Sequence, residues 1–184
     1  MKFLKILLTF IILIAINIIN PDYCYANNAN LPKIGSQAID FNLEGYNARN
    51  PKKTTWKLED FSGSWLILYF YPKDFSSGCT IEARGFKLKN NEFRNENSFI
   101  VGISQDTKDE HESFCNSQEL GYTLLTDIDA NTSKNYGSWL SPYSTRNTFL
   151  IDPNGVIKYR WIGVNPVGHA KEVYDKLLEL KRNA

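Results

Sequence analysis

The pattern of apolar and polar residues along the chain predicts an α/β domain. Two runs, Trp65–Tyr71 and Ser98–Ser104, are almost continuously apolar, which predicts strands buried on both faces within a parallel sheet. A helical pattern follows each run. The first helix is predicted over Cys79–Arg94, and the second begins at the capping box formed by Thr107 and Glu110. This order predicts a central parallel βαβ unit.

Shorter elements are predicted on either side of this unit. Alternation predicts a strand at Ala38–Leu43, and a stretch rich in Asn, Lys, Gly and Pro predicts a loop over Glu44–Thr55. Further elements are a helical turn at Leu58–Phe61, a strand at Leu124–Leu125, a short helix at Asp129–Tyr136, a hairpin of Asn147–Asp152 and Val156–Trp161, and a last helix around Ala170–Leu178. A parallel unit followed by an antiparallel hairpin and a closing helix predicts a thioredoxin-like fold, with a central mixed sheet flanked by helices.

The start of the chain predicts a secretory signal peptide. A basic segment, Met1–Lys5, precedes an apolar run, Ile6–Ile19, and the small residue Ala26 ends a polar stretch. The run of about 14 residues is shorter than the roughly 20 that span a bilayer. We therefore expect a signal peptide over residues 1–26, a linker over 27–35, a domain over 36–184 and export to the periplasm. An uncleaved membrane anchor remains an alternative, whereas the residues before Cys24 disfavour a lipoprotein anchor.

Charge and composition exclude several classes of function. The 184 residues contain 21 Lys and Arg and 20 Asp and Glu, and removal of residues 1–26 leaves a formally neutral domain. The chain has no strongly basic region of the kind that would indicate a nucleic-acid partner. The two histidines and the remaining cysteines lack the spacing of a metal site, and no glycine-rich phosphate loop is present. Neither a metal nor an organic cofactor is expected.

The two cysteines of the predicted mature domain carry the candidate chemistry. In an exported protein, Cys79 and Cys115 first suggest a structural disulfide. Cys79, however, follows a buried strand and begins a predicted helix, where free backbone N–H groups and the positive helix end favour a thiolate. A thiolate is nucleophilic and is readily oxidised to sulfenic acid. Ser76 lies within reach of the sulfur, and Pro72 can shield the pocket from water.

The segment Pro72-x-x-x-Ser76-x-x-Cys79 resembles the Pro-x-x-x-Thr/Ser-x-x-Cys signature of peroxiredoxins. The longer segment Leu68–Ala83 is similar to the bacterioferritin-comigratory-protein (PrxQ) branch, and Thr145–Gly155 and Val167–Ala170 match it as well. The likeness runs from about Lys33 to Leu180. It implies a thiol-specific peroxidase that reduces hydrogen peroxide and organic hydroperoxides at Cys79, without a cofactor and commonly as a monomer.

The resemblance also implies roles for residues around Cys79. Ser76 would hydrogen-bond the peroxide. Arg146 would stabilise the thiolate and polarise the O–O bond, which suits a permanently charged group with several directed donors. Glu82 is expected to orient this arginine, and His169 is expected to be a structural residue at a helix start. The chain departs from the branch pattern at Ser76, where Thr is commoner, at Ser77, where many relatives have Pro, and over Gly137–Ser144.

The resemblance further implies that Cys115 resolves the sulfenic acid. Some PrxQ relatives place a resolving cysteine five positions after the first, where this chain has Arg84, and others place it on the next helix, as Cys115 is placed. A disulfide requires Cα atoms within about 7 Å, so local unwinding around both cysteines is expected. A thioredoxin-like dithiol would then reduce the disulfide. Alternatively, Cys115 is a core residue beside Phe114, and the protein is a one-cysteine peroxidase.

Three other functions would be compatible with a small exported domain that contains two cysteines. An exported thioredoxin-fold thiol–disulfide oxidoreductase would share the fold, but it normally needs Cys-x-x-Cys, which the chain lacks. A copper carrier would need a close cysteine pair with a histidine, and His111 and His169 do not supply such a set. A binding module with a permanent Cys79–Cys115 disulfide is the non-enzymatic alternative. Resistance of that disulfide to mild reductant would identify it.

Overall fold

The structure, a computed structural model, describes residues 31–183. The predicted signal peptide, with Cys24, and residues 27–30 of the predicted linker lie outside the described residues. Nine strands are present in the described part: β1 Asn42–Tyr46, β2 Thr55–Lys57, β3 Trp65–Phe70, β4 Ser98–Ser104, β5 Thr123–Thr126, β6 Trp139–Leu140, β7 Tyr143–Ser144, β8 Asn147–Ile151 and β9 Ile157–Ile162. The helices are α1 Ser77–Asn95, α2 Lys108–Gln118, α3 Asn131–Asn135 and α4 His169–Arg182, with a 3-10 turn at Leu58–Phe61. No helix in this range is long and apolar enough to cross a membrane.

Seven strands form one mixed sheet in the order β2-β1-β5-β4-β3-β8-β9. The pairs β3–β4 and β4–β5 are parallel, whereas β8 and β9 continue the sheet as an antiparallel hairpin. This arrangement confirms the predicted thioredoxin-like fold. All six residues of β3 are buried, as the continuous apolar run predicted, because the strand lies in the interior of the sheet.

The sheet separates two apolar cores. Ile67 and Tyr69 of β3 face one core, which is completed by side chains of α1, α2 and α4. Leu66, Leu68 and Phe70 face the other core, which contains Trp56, Phe61, Phe149 and Tyr136. Alternate residues of a strand point to opposite faces, so one apolar run serves both cores. Cys79 and Cys115 both belong to the first core.

Helix α2 begins as predicted. Thr107 Oγ1 accepts a hydrogen bond from the backbone N–H of Glu110, and the Glu110 carboxylate accepts one from the backbone N–H of Thr107. This reciprocal capping satisfies two donors at the helix start. The capping box therefore sets where the helix that carries Cys115 begins.

Two predictions at the edge of the sheet were wrong. The first strand covers Asn42–Tyr46 rather than Ala38–Leu43, and the predicted loop Glu44–Thr55 contains its second half and the first residue of β2. Gly45 explains the error, because a Cβ at this position would lie 2.2 Å from the carbonyl oxygen of Leu124. The glycine permits close strand pairing and does not mark a loop. The small β6–β7 hairpin within Gly137–Ser144 was also missed, since two-residue strands leave no periodic signal.

Candidate active site

Cys79 lies in the first turn of α1. The strand β3 ends at Phe70, a short loop follows, and Ser76 is the N-cap of the helix. The first backbone bond of the helix runs from the N–H of Thr80 to the carbonyl of Ser76, at 2.9 Å. The N–H groups of Ser77, Gly78 and Cys79 therefore precede the regular helix ladder. This is the anion-favouring environment that the sequence predicted for the sulfur.

Two side chains bring hydrogen-bond donors to the sulfur of Cys79. Arg146 Nη2 donates to Sγ at 3.2 Å, and Ser76 Oγ lies 2.7 Å from the same atom. Ser76 Oγ also lies 3.0 Å from the carbonyl oxygen of Lys73, so its single proton can point to either acceptor. Donors that converge on one buried sulfur stabilise a negative charge on it.

Arg146 is held from two sides. Its Nη1 donates to Glu82 Oε2 at 2.8 Å, and Glu82 lies one turn after Cys79 on the buried face of α1. Its backbone carbonyl accepts a hydrogen bond from the N–H of Val164 at 2.8 Å. The guanidinium therefore spans Glu82 and Cys79, and the loop before β8 carries it there. Glu82 lies where the resemblance predicted, beside the arginine.

Burial dominates the electrostatics of Glu82. Its side chain is 1% exposed, and desolvation raises its pKa to about 7 although Arg146 opposes that shift. Glu82 Oε1 finds no hydrogen-bond partner among residues 31–183. Burial also disfavours the charged form of Arg146, but the negative charges of Cys79 and Glu82 outweigh it and raise the Arg146 pKa. The guanidinium therefore stays charged beside the sulfur.

Gly78 is a site residue that sequence reasoning missed. A Cβ at this position would lie 2.7 Å from Arg146 Nη2 and 3.7 Å from Pro166 Cγ. The absence of a side chain lets the guanidinium lie against the start of α1. The only available signal was the small residue directly before Cys79.

Cys115 lies in a different environment within the same core. It is fully buried on α2, and both cysteines are free thiols in the structure. Desolvation raises the pKa of Cys115, and the acidic residues Asp74 and Glu112 raise it further. Within residues 31–183, no side chain donates a hydrogen bond to the sulfur of Cys115, whereas Ser76 and Arg146 bring donors to the sulfur of Cys79. The raised pKa favours the protonated thiol of Cys115 in this conformation.

Comparison with known proteins identifies the family. The model of the AhpC/TSA family matches residues 34–160. The chain belongs to the AhpC/TSA family. Peroxiredoxin Bcp of Bacillus subtilis is 31% identical over 156 residues, which cover 80% of this chain and 96% of the relative. The mitochondrial thioredoxin-dependent peroxide reductase of Drosophila melanogaster is 35% identical over 132 residues, covering 67% of this chain and 56% of that protein.

A solved structure supports the PrxQ branch. The crystal structure of a PrxQ mutant from Xylella fastidiosa is similar to this chain with a TM-score of 0.73 and 31% identity, covering 81% of this chain and 97% of that one. The family and its Bcp and PrxQ relatives show that this protein is an enzyme with thiol peroxidase activity. It is therefore an antioxidant oxidoreductase with a thioredoxin-like fold.

Pro72 and His169 were also singled out in the sequence. Pro72 is partly buried directly after the core residue Tyr71, and its shielding role stays a prediction. His169 is buried at the first position of α4, and its Nε2 lies 2.8 Å from Thr148 Oγ1. Desolvation lowers the pKa of His169 to about 4. A neutral imidazole bonded to a strand residue agrees with the structural role that was expected.

A buried polar network beside the site had no signal in the sequence. Asp74, Asp106 and His111 form a group, within the described part of the chain, whose ligand-type atoms lie within 4.8 Å of one another. Hydrogen bonds already engage these atoms: Ser104 Oγ and the Asp74 N–H both donate to Asp106 Oδ2, at 2.6 and 2.8 Å. The group is therefore explained as a hydrogen-bonded network, and no metal is assigned to it.

Proposed function

We propose that this enzyme reduces hydrogen peroxide and organic hydroperoxides with Cys79 as the nucleophile. The observation that carries the proposal is the convergence of Ser76 Oγ and Arg146 Nη2 on Cys79 Sγ in the first turn of α1. The thiolate attacks one peroxide oxygen, and the O–O bond breaks. The sulfur becomes a sulfenic acid, and the second oxygen leaves with a proton as water or an alcohol.

The same two donors serve the oxygen atoms in this step. Negative charge moves from the sulfur to the departing oxygen as the O–O bond breaks. Arg146 can stabilise charge at both places because its guanidinium presents several N–H groups in one plane. Its contact with Glu82 holds that plane against the start of α1. Ser76 can turn its proton from the Lys73 carbonyl to the sulfur or to a bound oxygen.

Cys115 is proposed as the resolving cysteine. Its thiolate attacks the Cys79 sulfenic acid, a disulfide forms and water leaves. Two facts support this assignment: Cys115 shares a core with Cys79, and the alternative position in α1 is occupied by Arg84, whose Nε donates to Gln118 Oε1. Both thiols are buried, so the step requires local unwinding of the segments that carry them.

A named relative supports the proposed reductant, and an apolar groove near the site supports the proposed range of peroxides. A thioredoxin-like dithiol is proposed to reduce the disulfide, since the Drosophila relative is named a thioredoxin-dependent reductase. Organic hydroperoxides are included because Pro166, beside Gly78, also lines an apolar groove with Ile81, Leu88 and Val167. No nucleic-acid partner is proposed, and the functional unit is proposed to be a monomer.

Export is proposed from the sequence of residues 1–26. The basic start and short apolar run favour a cleaved signal peptide and a periplasmic location. The N-terminal sequence of the protein recovered from the source cells, with its fraction, tests this proposal. An intact N-terminus in the membrane fraction would indicate an uncleaved anchor instead.

Peroxide consumption in the presence of a dithiol tests the central proposal. The wild type should turn over, whereas Cys79→Ser should show only the background rate. Equal rates for the two proteins would overturn the assignment of Cys79. Thiol titration tests the alternative of a permanent disulfide: a catalytic disulfide opens in mild reductant and reforms with one equivalent of peroxide, and a structural one resists the reductant.

A further inference from the structure

The loop between β3 and α1 is tied to α2 by a buried carboxylate. Asp74 lies in this loop two residues before Ser76, and the residue is only 4% exposed. Tyr71 Oη donates to Asp74 Oδ1 at 2.7 Å, and His111 Nδ1 lies 2.8 Å from Asp74 Oδ2. Burial and the Asp74 charge raise the pKa of Tyr71, so its hydroxyl keeps its proton and donates. Both carboxylate oxygens are therefore engaged.

The histidine of this contact lies on the helix that carries Cys115. His111 is fully buried one helical turn before Cys115 on the same side of α2. Its Nε2 has no hydrogen-bond partner within the described residues, so the contact with Asp74 is the main polar anchor of the ring; Tyr71 Oη lies farther away, at 3.4 Å.

A second contact joins the same two segments. Phe75, which follows Asp74, packs edge to face on Phe114, which precedes Cys115, with ring centroids 5.0 Å apart. Phe75 has φ +60°, a left-handed conformation that is unfavourable for an aromatic residue. The surrounding contacts must maintain this conformation. Two successive residues of the loop thus hold one turn of α2.

We propose that Asp74 and His111 are positioning residues that hold the Cys79 loop against the Cys115 helix, and that their contact must break before the disulfide can form. The inference rests on the proposed resolving role of Cys115. In the structure Cys79 is hydrogen-bonded to Ser76 and Arg146, and Cys115 is buried beside Phe114. A disulfide requires the sulfurs to approach to about 2.05 Å, with Cα atoms within about 7 Å. The contact therefore holds the two segments in the arrangement of the reduced protein and delays the resolving step.

The test separates these two steps by stopped-flow fluorescence of the protein without its predicted signal peptide. The rate that depends on peroxide concentration reports sulfenic acid formation, and the later, concentration-independent rate reports disulfide formation. In His111→Gln and in Asp74→Asn, the second rate should rise about five- to tenfold, as expected for loss of one buried hydrogen bond. The first rate should change less than about twofold, because Ser76 and Arg146 are untouched.

The double variant should be no faster than the faster single variant, since both substitutions remove one contact. Glu110→Gln is the matched control, because it weakens the capping box of the same helix and leaves the Asp74–His111 contact intact. Its second rate should stay within about twofold of wild type. Proportional slowing of both steps in His111→Gln would show a merely structural role, and equal acceleration by Glu110→Gln would show general loosening of α2. Either result overturns the proposal.

Cys115→Ser distinguishes failure of this inference from failure of the proposed function. If Cys115→Ser keeps the second phase, Cys115 is not the resolving residue, and both proposals fall. If Cys115→Ser loses that phase while His111→Gln resolves at the wild-type rate, only the inference falls. Amide exchange of the wild type gives an independent measurement. Residues 108–118 should lose protection in the disulfide form relative to the reduced form, and unchanged protection would contradict the required opening.

Discussion

The two cysteines of this peroxiredoxin are equally buried and chemically opposite. Cys79 is 2% exposed and Cys115 is 0% exposed, and both contribute to one apolar core. The Cys79 sulfur meets Arg146 Nη2 and Ser76 Oγ at a helix start. Cys115 lies within a helix, near the acidic side chains of Asp74 and Glu112, and burial raises its pKa. Burial alone therefore does not decide the behaviour of a thiol; the groups that accompany it do.

This difference supports the two roles that are proposed for the cysteines. The proposed first step needs a nucleophilic sulfur, and Ser76 Oγ and Arg146 Nη2 bring donors to the sulfur of Cys79. A second thiolate in the same core would compete for peroxide and would be costly to bury. In the proposed cycle, the raised pKa of Cys115 keeps its thiol protonated until α2 opens, so the two steps would follow one another.

The largest effect is expected from replacing each cysteine with serine in turn. Cys79→Ser should lower the single-turnover rate with one equivalent of peroxide by at least about 10³-fold, because the nucleophile is lost. Cys115→Ser should leave this first step within about twofold and should accumulate sulfenic acid, detectable by intact mass after trapping. If Cys115→Ser abolished the first step instead, the contrast between the two thiols would be wrong.

Arg146→Lys should lower the second-order rate with peroxide by roughly 10- to 100-fold. Lysine keeps the positive charge but cannot contact Cys79 and Glu82 with one planar group. Arg84→Lys is the matched control, since Arg84 lies on α1 and bonds only the neutral Gln118 among the described contacts. Stopped-flow measurements at several peroxide concentrations give both rates. A similar loss of rate in Arg146→Lys and Arg84→Lys would show that Arg146 has no particular role in the reaction with peroxide.

Glu82 should make the Cys79 side of the core sensitive to pH. Its pKa rises from 4.5 to about 7 in the folded protein, so the folded state binds the Glu82 proton more tightly than the unfolded state. The resulting stabilisation is fully present below about pH 4.5 and is lost as pH rises towards about 7. The free energy of unfolding of the wild type, relative to Glu82→Gln, should therefore fall by about 2 kcal/mol across this window.

Urea unfolding at several pH values measures this difference. Glu172→Gln is the control, because Glu172 is exposed on the surface of α4 and should not reproduce the slope. A difference between wild type and Glu82→Gln that stayed constant from pH 4.5 to 7 would show that burial does not dominate at Glu82.

Ser76→Ala should have the smallest effect, lowering the peroxide rate by about three- to tenfold, because one of the two side-chain donors is lost and Arg146 remains. Ser76→Thr should retain the rate, since threonine keeps the hydroxyl. Ser77→Ala, at the neighbouring exposed position, should leave the rate unchanged. A Ser76→Ala rate equal to wild type would mean that Arg146 and the helix start suffice for the sulfur.

Local patterns in the sequence were enough to predict much of the fold. The apolar run of β3, the capping box of α2 and the turn before β9 each encode their element within a few residues. The edge of the sheet was predicted poorly because Gly45 meets a constraint from Leu124, far along the chain, that its own neighbours do not show.

The candidate site divides in the same way. The sequence by itself determined that Cys79 starts a helix after a buried strand, with Ser76 one turn before it, because this arrangement depends on neighbouring residues. The resemblance assigned Arg146 to the same sulfur, but only the tertiary structure shows that its guanidinium, 67 positions away, donates to that atom. Only the tertiary structure shows that Asp74 meets His111 across 37 positions. Such contacts depend on how strands and helices pack. The candidate nucleophile could therefore be predicted from the sequence, whereas the difference between the surroundings of the two thiols was set by packing.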